Sequence, residues 1–260
     1  MTWLAAGYQV FAADPGVSDW LRHAGPVALD CARDPGMRAQ WLRHGGTWFA
    51  GVNVLDNDPE GRVAGSPPLR CAALSAAQAI SGRLPLDTGQ VSVTYPGYPK
   101  QDAGEGDAPA RYRRRRDAAH VDGLLPIGPD RRRMLKEPHA WILGLPVTES
   151  GAGAAPLVVW EGSHEVMRAR LGTVLRDHAP ADWPEVDLTE AYHAARAEVF
   201  ETCPRIELPA QPGEALLLHR LALHGVAPWQ AGACAPPDGR AIVYFRPQLP
   251  GGAGDWLRLP

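Results

Sequence analysis

Short apolar runs separated by Gly and Pro dominate the chain from about residue 90 onward. Six of them have the length and the β-branched or aromatic content that predict strands: Val91–Tyr95, His139–Val147, Pro156–Trp160, Arg205–Leu208, Glu214–His219 and Ala241–Phe245. Many short strands with turn signals between them are typical of a sandwich or barrel of the jelly-roll type.

Two segments interrupt the strand pattern with helical periodicity, Ser163–Asp177 and Asp187–Glu201. The second is expected to open with a capping box, because Glu190 follows Asp187 by three residues.

The first 89 residues show a mixed and partly helical pattern. Asp14 is a candidate helix cap, and a short helix is expected to end near Ile80, before Ser81-Gly82. We expect a single domain of residues 1–260, in which residues 1–89 pack on a strand core at 90–250 that carries a helical insertion at 163–202.

Composition narrows the class of protein. The net charge of -3 argues against a general nucleic-acid binder. The four cysteines form no C-x-x-C pair, so we expect reduced thiols rather than a zinc knuckle or a disulfide framework. Neither a signal peptide nor an apolar run near the roughly 18 residues of a membrane span is evident, which favours a cytoplasmic protein without a membrane partner. The oligomeric state stays open.

His120-Val121-Asp122, followed about a hundred residues later by His224, is the candidate for chemistry. Two imidazoles and a carboxylate are the donors of the 2-His-1-carboxylate triad, which holds one face of a ferrous ion. With 9 His and 29 Asp or Glu, about one His-x-Asp/Glu triplet is expected by chance, and one occurs. Because residues two apart on a strand face the same side, His120 and Asp122 are predicted to point together into a barrel mouth.

Arg240 opens the last apolar strand, where a guanidinium needs an anion. A dicarboxylate co-substrate would supply one and would suit the bidentate geometry of arginine. Arg246 would face the same side of this strand and is the alternative residue for binding the anion. Its other interpretation is a salt bridge at the end of the strand.

The order of these elements resembles the phytanoyl-CoA dioxygenase-like family of iron(II)- and 2-oxoglutarate-dependent oxygenases. The resemblance covers roughly residues 90–247 and also includes Trp141 on a strand and the Gly162-Ser163-His164 element after an apolar strand. It implies a double-stranded β-helix, a mainly β (α+β) cupin-like jelly roll with flanking helices. One departure is Gly225, which stands where the family often has a small hydroxyl residue, so a hydroxyl contact to the co-substrate is not implied there.

Carried over by position, the resemblance implies iron ligation by His120, Asp122 and His224, with Arg240 on the distal carboxylate of 2-oxoglutarate. Trp141 would line the co-substrate pocket, core packing being the alternative. The implied reaction consumes O2 and 2-oxoglutarate, releases succinate and carbon dioxide, and hydroxylates a small molecule. Related halogenases lack the carboxylate, so Asp122 favours hydroxylation.

Three further residues near these motifs have competing interpretations. His219 is a rival metal ligand, but it would face the opposite side of a continuous strand from His224. Arg220 would share the parity of His224 and could reach the pocket, although a solvated side chain is favoured. His164 is expected to help start a helix rather than to act in catalysis.

The Arg111–Arg116 run follows a polar segment, Gly97–Pro109, that we expect to be a mobile loop. The run could attract an anionic substrate such as a phosphate, CoA ester or carboxylate. The favoured interpretation is a solvated loop whose acidic partners are Asp102, Glu105 and Asp107.

Two other functions stay open. A cupin-type metalloenzyme that does not use 2-oxoglutarate, such as an isomerase or ring-cleaving dioxygenase, would have no need of Arg240. A non-catalytic jelly-roll protein would keep a metal for structure alone, with buried ligands and no open coordination position.

Overall fold

The computed structural model describes residues 2–260. Its α-helices are α1 (Trp3–Ala6), α2 (Pro15–Arg33), α3 (Pro35–Trp41), α4 (Ala72–Ser81), α5 (Asp107–Arg116), α6 (Ser163–Leu175), α7 (Thr189–Thr202) and α8 (Gly252–Arg258). Its strands are β1 (Tyr8–Phe11), β2 (Leu42–Arg43), β3 (Trp48–Gly51), β4 (Gln90–Thr94), β5 (Leu124–Ile127), β6 (Arg132–Leu135), β7 (Trp141–Pro146), β8 (Leu157–Trp160), β9 (Arg205–Leu208), β10 (Ala215–His219), β11 (His224–Val226) and β12 (Arg240–Phe245).

Two antiparallel sheets form the centre of the molecule. The larger has seven strands in the order β1-β10-β7-β12-β4-β3-β2, and the smaller has the order β11-β8-β9. Apolar side chains of both sheets pack into one cluster between them, among them Ile142, Leu218 and Ile242 of the larger sheet with Leu157 and Val159 of the smaller. These are the two facing sheets of a double-stranded β-helix, which confirms the predicted fold class. The two sheets stay separate and do not close into a barrel.

The other face of the seven-stranded sheet carries the larger core. Strand side chains alternate between faces, so Leu143, Leu217 and Val243 point away from the small sheet, and none of them is exposed to solvent. They pack in one cluster with residues of the N-terminal helices, including Trp20 of α2. Burying each of these aliphatic side chains contributes about 2 kcal/mol. The helices therefore cover this face of the large sheet. The opposite face, which looks toward the small sheet, remains for a ligand cavity.

The observed elements follow the predicted ones closely after residue 90. The six predicted strands become β4, β7, β8, β9, β10 and β12, and the two predicted helices become α6 and α7. The capping box is wrong in detail, because Asp187 accepts a hydrogen bond from the Thr189 backbone at 3.0 Å and α7 begins at Thr189. Asp14 caps α2 by accepting from Gly16 N at 2.7 Å.

The N-terminal region does more than pack on the strand core. β1 pairs with β10, and β3 pairs with β4, so both edges of the large sheet come from residues before 90. These strands have four residues or fewer, too short for a periodic pattern to reveal. None of the helices in residues 2–260 is long and apolar enough to cross a membrane.

The arginine run is a helix and not the solvated loop that the sequence favoured, because residues from Asp107 to Arg116 form α5. Of the three expected acidic partners only Glu105 pairs with the run, through Arg113. Asp102 instead accepts from Gly45 N at 2.7 Å and thereby anchors the preceding loop to the end of β2.

Trp141 does not line the space between the sheets. It shares strand parity with Leu143, is fully buried in the larger core, and donates from its indole nitrogen to Ser81 Oγ of α4 at 3.1 Å. The alternative of core packing therefore describes Trp141, and its neighbour Ile142 faces the site.

Replacing Trp141 with Phe should lower the free energy of unfolding by about 1 to 3 kcal/mol, since it removes a buried hydrogen bond and leaves a small void. Denaturant unfolding measures this loss. The affinity for 2-oxoglutarate, measured by anaerobic titration, should match that of the unaltered protein. A large loss of that affinity without a loss of stability would return Trp141 to the co-substrate pocket.

Candidate metal centre

Three side chains converge at one end of the space between the sheets. Oδ1 of Asp122 lies 3.2 Å from His120 Nε2 and 3.8 Å from His224 Nε2. One ligand atom from each residue lies within 4.8 Å of the other two, a spacing that suits a single metal ion. Among residues 2–260 this is the group of His, Cys, Asp and Glu side chains that meets the geometric requirement for a metal site.

The two histidines are brought together by a backbone bridge. His120 N donates to His224 O at 2.8 Å, and His224 N donates to His120 O at 3.0 Å. The sequence predicted a strand carrying both His120 and Asp122, but His120 forms an isolated bridge and Asp122 begins the turn that follows. His224 is the first residue of β11, as expected for a ligand from a separate strand.

The imidazoles are oriented by their far nitrogens. His120 Nδ1 lies 3.0 Å from Ala118 O, and His224 Nδ1 lies 2.9 Å from Ala222 O. A carbonyl can only accept, so each Nδ1 must carry the proton, which leaves Nε2 as the nitrogen that can offer a lone pair to a metal. Burial lowers the pKa of His224 to about 4, with the neighbouring His120 acting in the same direction, so His224 is neutral at pH 7.

Asp122 divides its two oxygens between different partners. Oδ1 faces the two imidazoles, whereas Oδ2 lies 3.2 Å from Arg246 Nη1. Burial alone would raise the pKa of Asp122, but His120 and Arg246 outweigh burial and hold the pKa well below its usual range. The carboxylate is therefore charged, and the arginine leaves one oxygen for a metal.

Close backbone contacts build the turn before His120. Asp117 and Ala118 both have left-handed φ angles, 53° and 54°. This turn lies against Gly225, where an added Cβ would stand 2.1 Å from Asp117 O. The Asp117 carboxylate in turn accepts two hydrogen bonds from Arg205 of β9, at 2.6 and 2.9 Å. The glycine after His224 is thus required sterically, for the close approach of the two segments that carry the candidate ligands.

The Gly-Ser-His element supports the distal histidine from the other side. Ser163 Oγ accepts a buried hydrogen bond from Leu223 N at 2.9 Å, one residue before His224. His164 is the second residue of α6 and bonds to Leu4 O through Nε2, so it serves structure as expected.

A cavity of about 250 Å³ adjoins the three candidate ligands. Its other lining residues are mainly apolar, and they come from both sheets: Trp48, Ala50, Val52, Gln90, Ser92, Ile142, Leu157, Leu218, Gly225, Val226, Tyr244 and Arg246. The His120 side chain is 50% exposed, so the candidate ligands are reachable from solvent through this cavity.

The two candidate anion-binding arginines occupy different environments. Arg246 lines the cavity, but Asp122, Asp87 and Glu137 surround it and raise its pKa against the effect of burial. Arg240 does not line the cavity directly and is only 5% exposed. Its guanidinium forms no salt bridge with any residue from 2 to 260. A buried guanidinium without a carboxylate partner is costly, and in this respect Arg240 differs from Arg246.

Two buried hydroxyls near Arg240 also lack partners, namely Thr94 Oγ1 and the Tyr244 phenol. Thr94 is the cross-strand partner of Arg240, and Tyr244 has the same strand parity as Arg240, so all three face the space between the sheets. Burial raises the pKa of Tyr244, and the Arg240 guanidinium partly offsets that effect. Neither hydroxyl was predicted from the sequence to lie near Arg240. Strand parity could have found Tyr244, but Thr94 depends on a pairing that the sequence does not reveal.

His219 and Arg220 lie away from the candidate ligands. The chain turns after His219, so the strand is not continuous to His224, and the His219 ring lies beside Arg168, with Nε2 3.1 Å from Arg168 Nη2. Arg220 is not solvated, because it is 1% exposed and donates to the backbone carbonyls of the C-terminal segment, including Trp256 O at 2.6 Å. Neither residue competes for the metal.

No protein-family model and no curated protein matches the sequence. Among solved structures, the chain is similar to AviO1 from Streptomyces viridochromogenes Tue57, with a TM-score of 0.50 and 15% identity over 96% of this chain and 93% of that one. At this identity the likeness shows the fold alone.

Two further similar structures are described as non-heme alpha-ketoglutarate-dependent enzymes of nogalamycin biosynthesis. The carbocyclase SnoK has a TM-score of 0.48 and 14% identity over 94% of this chain and 81% of that one. The epimerase SnoN, in complex with Fe3+, alpha ketoglutarate and nogalamycin RO, has a TM-score of 0.47 and 16% identity over 95% and 80%. Both are enzymes of the 2-oxoglutarate-dependent class that the sequence resemblance indicated.

Replacing Gly225 with Ala should weaken iron(II) binding at least about tenfold, because the new Cβ pushes the Asp117 turn and His120 away from His224. An anaerobic titration of iron(II) against a competing chelator measures the change. Gly172→Ala is the matched control, since its Cβ would meet nothing closer than 3.5 Å. Equal iron affinity in both variants would show that the turn does not position the ligand.

Proposed function

We propose that the protein is an iron(II)- and 2-oxoglutarate-dependent dioxygenase that hydroxylates a small molecule. The observation that carries this proposal is a candidate metal centre on the cavity together with a buried guanidinium in the same space between the sheets. Two imidazole nitrogens and one carboxylate oxygen converge at the cavity, and the Arg240 guanidinium is buried without a carboxylate partner.

The donor set fits ferrous iron. Two neutral imidazoles and a single carboxylate oxygen form the facial arrangement used by non-heme iron oxygenases. His120, Asp122 and His224 would hold the metal, and the Arg246 contact with Oδ2 would keep Asp122 to one coordinating oxygen. No thiol lies among the candidate ligands, which disfavours a structural zinc site of the cysteine-rich kind.

The groups around Arg240 fit the distal carboxylate of 2-oxoglutarate. Arg240 would supply the charge, and the unpaired hydroxyls of Thr94 and Tyr244 would supply hydrogen bonds. Gly144 makes room for this arrangement, because an added Cβ would stand 2.8 Å from the Tyr244 ring. The hydroxyl contact that Gly225 cannot provide would thus come from two other strands.

When bound, iron and 2-oxoglutarate would supply the oxidising power that activates O2, with succinate and carbon dioxide as products of the co-substrate. The protein's own part is positioning and exclusion of water. Ile142, Leu157 and Leu218 form an apolar wall of the cavity, which strengthens charge interactions inside it and keeps solvent out.

Several observations favour this function over its rivals. A cupin-type enzyme that does not use 2-oxoglutarate would leave Arg240 and the two hydroxyls without a partner. A purely structural metal site would have buried ligands on all sides, whereas His120 is half exposed and a cavity adjoins it. Among oxidative outcomes, Asp122 favours hydroxylation, since the halogenases of the resembled class lack this carboxylate.

The substrate would be a small molecule, because the cavity is below the usual range of about 300 to 1,000 Å³ for ligand pockets. An anionic substrate fits the excess of arginine in and around α5, directly before His120. A cytoplasmic location stays a prediction.

Anaerobic addition of iron(II) and 2-oxoglutarate should produce the weak visible charge-transfer band of the chelate. His120→Ala should abolish the band, because two ligands no longer hold the metal firmly. His23→Ala, which removes an exposed histidine of α2, is the matched control and should leave the band unchanged. Absence of the band in the unaltered protein would contradict the proposed function.

Arg240→Gln should weaken 2-oxoglutarate binding by about ten- to a hundredfold, the range expected for losing a charge-assisted hydrogen bond in a buried site. Iron(II) affinity, titrated in the absence of 2-oxoglutarate, should stay the same. Arg240→Lys keeps the charge and should recover part of the affinity. If Arg240→Gln binds 2-oxoglutarate normally and Arg246→Gln does not, the assignment of the two arginines must be exchanged.

A further inference from the structure

Most of the Arg111–Arg116 run has no role in the candidate metal centre. Arg113 is buried and pairs with Glu105. Arg111, Arg114 and Arg115 are exposed on α5 and form no salt bridge with residues 2–260. Arg116 is the last residue of α5, and its side chain packs against Phe200 of α7.

Three arginines from three elements alternate with aromatic rings beside α5. The Arg116 guanidinium lies 4.3 Å from the Phe200 ring centre, and Arg196 lies 4.9 Å from Tyr112 and 5.2 Å from Tyr192. The Arg133 guanidinium, from β6, lies 5.7 Å from the centre of the Tyr192 ring. We call Arg116, Arg196 and Arg133, with these three rings, the arginine ladder.

The guanidinium groups lie against the aromatic rings, and most of their N–H groups have no hydrogen-bond partner among residues 2–260. Cation–π contacts of this kind act at distances up to about 6 Å. Arg116 and Arg196 donate no hydrogen bond to any residue from 2 to 260, and Arg133 donates one from its side chain, to Leu124 O at 3.2 Å. These N–H groups are therefore available to a ligand.

None of the ladder arginines has a carboxylate within salt-bridge distance among the described residues, although acids lie nearby. Lys136 pairs with Glu185 at 2.6 Å, and Arg132 lies 3.6 Å from Asp187. The neighbouring acids thus neutralise other cations. With the three exposed arginines of α5, the ladder leaves a concentrated positive charge on a protein whose net charge is -3.

The ladder is connected directly to the candidate metal centre. The Tyr112 hydroxyl donates to Ala119 O at 2.7 Å, and Ala119 immediately precedes His120. Arg116 precedes His120 by four positions, which limits their Cα atoms to about 15 Å apart. An anion on the ladder would therefore lie outside the cavity but within reach of a molecule that also enters it.

We infer that the arginine ladder is a binding site for a multiply charged anion of the phosphate class. Guanidinium groups pair with phosphate oxygens in a bidentate manner. Rings that pack against the guanidinium groups restrict their motion and so reduce the entropy lost on binding. The anion would be the charged part of the substrate, while the carbon to be oxidised enters the cavity. This last assignment rests on the proposed function.

The test is a calorimetric titration of the metal-free protein with inorganic tripolyphosphate at low salt. Arg196→Met and Arg116→Met keep much of the side-chain volume but lose the charge and the N–H edges. Each should weaken binding at least about tenfold. Arg70→Met and Arg176→Met, at exposed arginines elsewhere, should bind as the unaltered protein does. Acetate, with a single charge, should bind at least about tenfold more weakly than tripolyphosphate.

The outcomes separate the ladder from the proposed function. No binding of tripolyphosphate to the unaltered protein, equal binding by both ladder variants, or acetate binding as tight as tripolyphosphate would overturn the inference. The chelate band should persist in both ladder variants, which shows that they fold. Tripolyphosphate binding that depends on the ladder, together with no chelate band in the unaltered protein, would support the anion site while rejecting the oxygenase.

Discussion

The candidate metal centre depends on the pair of backbone hydrogen bonds between His120 and His224. They join two segments that are about a hundred residues apart in the chain and place both imidazoles on one side of the Asp122 carboxylate. The approach is close enough that Gly225 must lack a side chain, and Arg205 of a third strand holds the turn through Asp117. The donor set is therefore assembled by backbone pairing between two distant segments of the chain, one of which belongs to the small sheet.

Three arginines show how environment decides the role of one residue type. Arg246 forms a salt bridge with Asp122, so its positive charge is neutralised inside the protein. Arg240 is buried without such a carboxylate partner, and the proposed function assigns it to the co-substrate. Arg220 is buried as deeply but satisfies its donors with carbonyls of the C-terminal segment. Strand parity made all three candidates for the site, and the distribution of nearby carboxylates and carbonyls separates them.

Much of the fold could be predicted because the strands after residue 90 are short apolar runs with clear turn signals. The order of His120, Asp122, His224 and Arg240 was also evident, since the resemblance depends on order and residue type. The pairing partners of strands are not local properties of the sequence, so Thr94 could not be placed beside Arg240.

For Trp141, the strand was predicted correctly, but the face of the sheet to which the side chain points was not. A strand buried on both faces has no polar side to indicate direction, and all six residues of β7 are buried. The arginine run was misjudged for a related reason. Its charges suggested solvent, but three aromatic rings on α5 and α7 make part of it a packed interface.

If two imidazoles and one carboxylate hold only one face of a metal ion, the other face must carry water until 2-oxoglutarate binds. Manganese(II) can take the place of iron, and electron–nuclear double resonance in ¹⁷O-labelled water counts the coordinated water molecules. Six-coordinate geometry predicts about three waters before and about one after 2-oxoglutarate is added. A water count that does not change on adding 2-oxoglutarate would contradict the open-faced site and the function proposed from it.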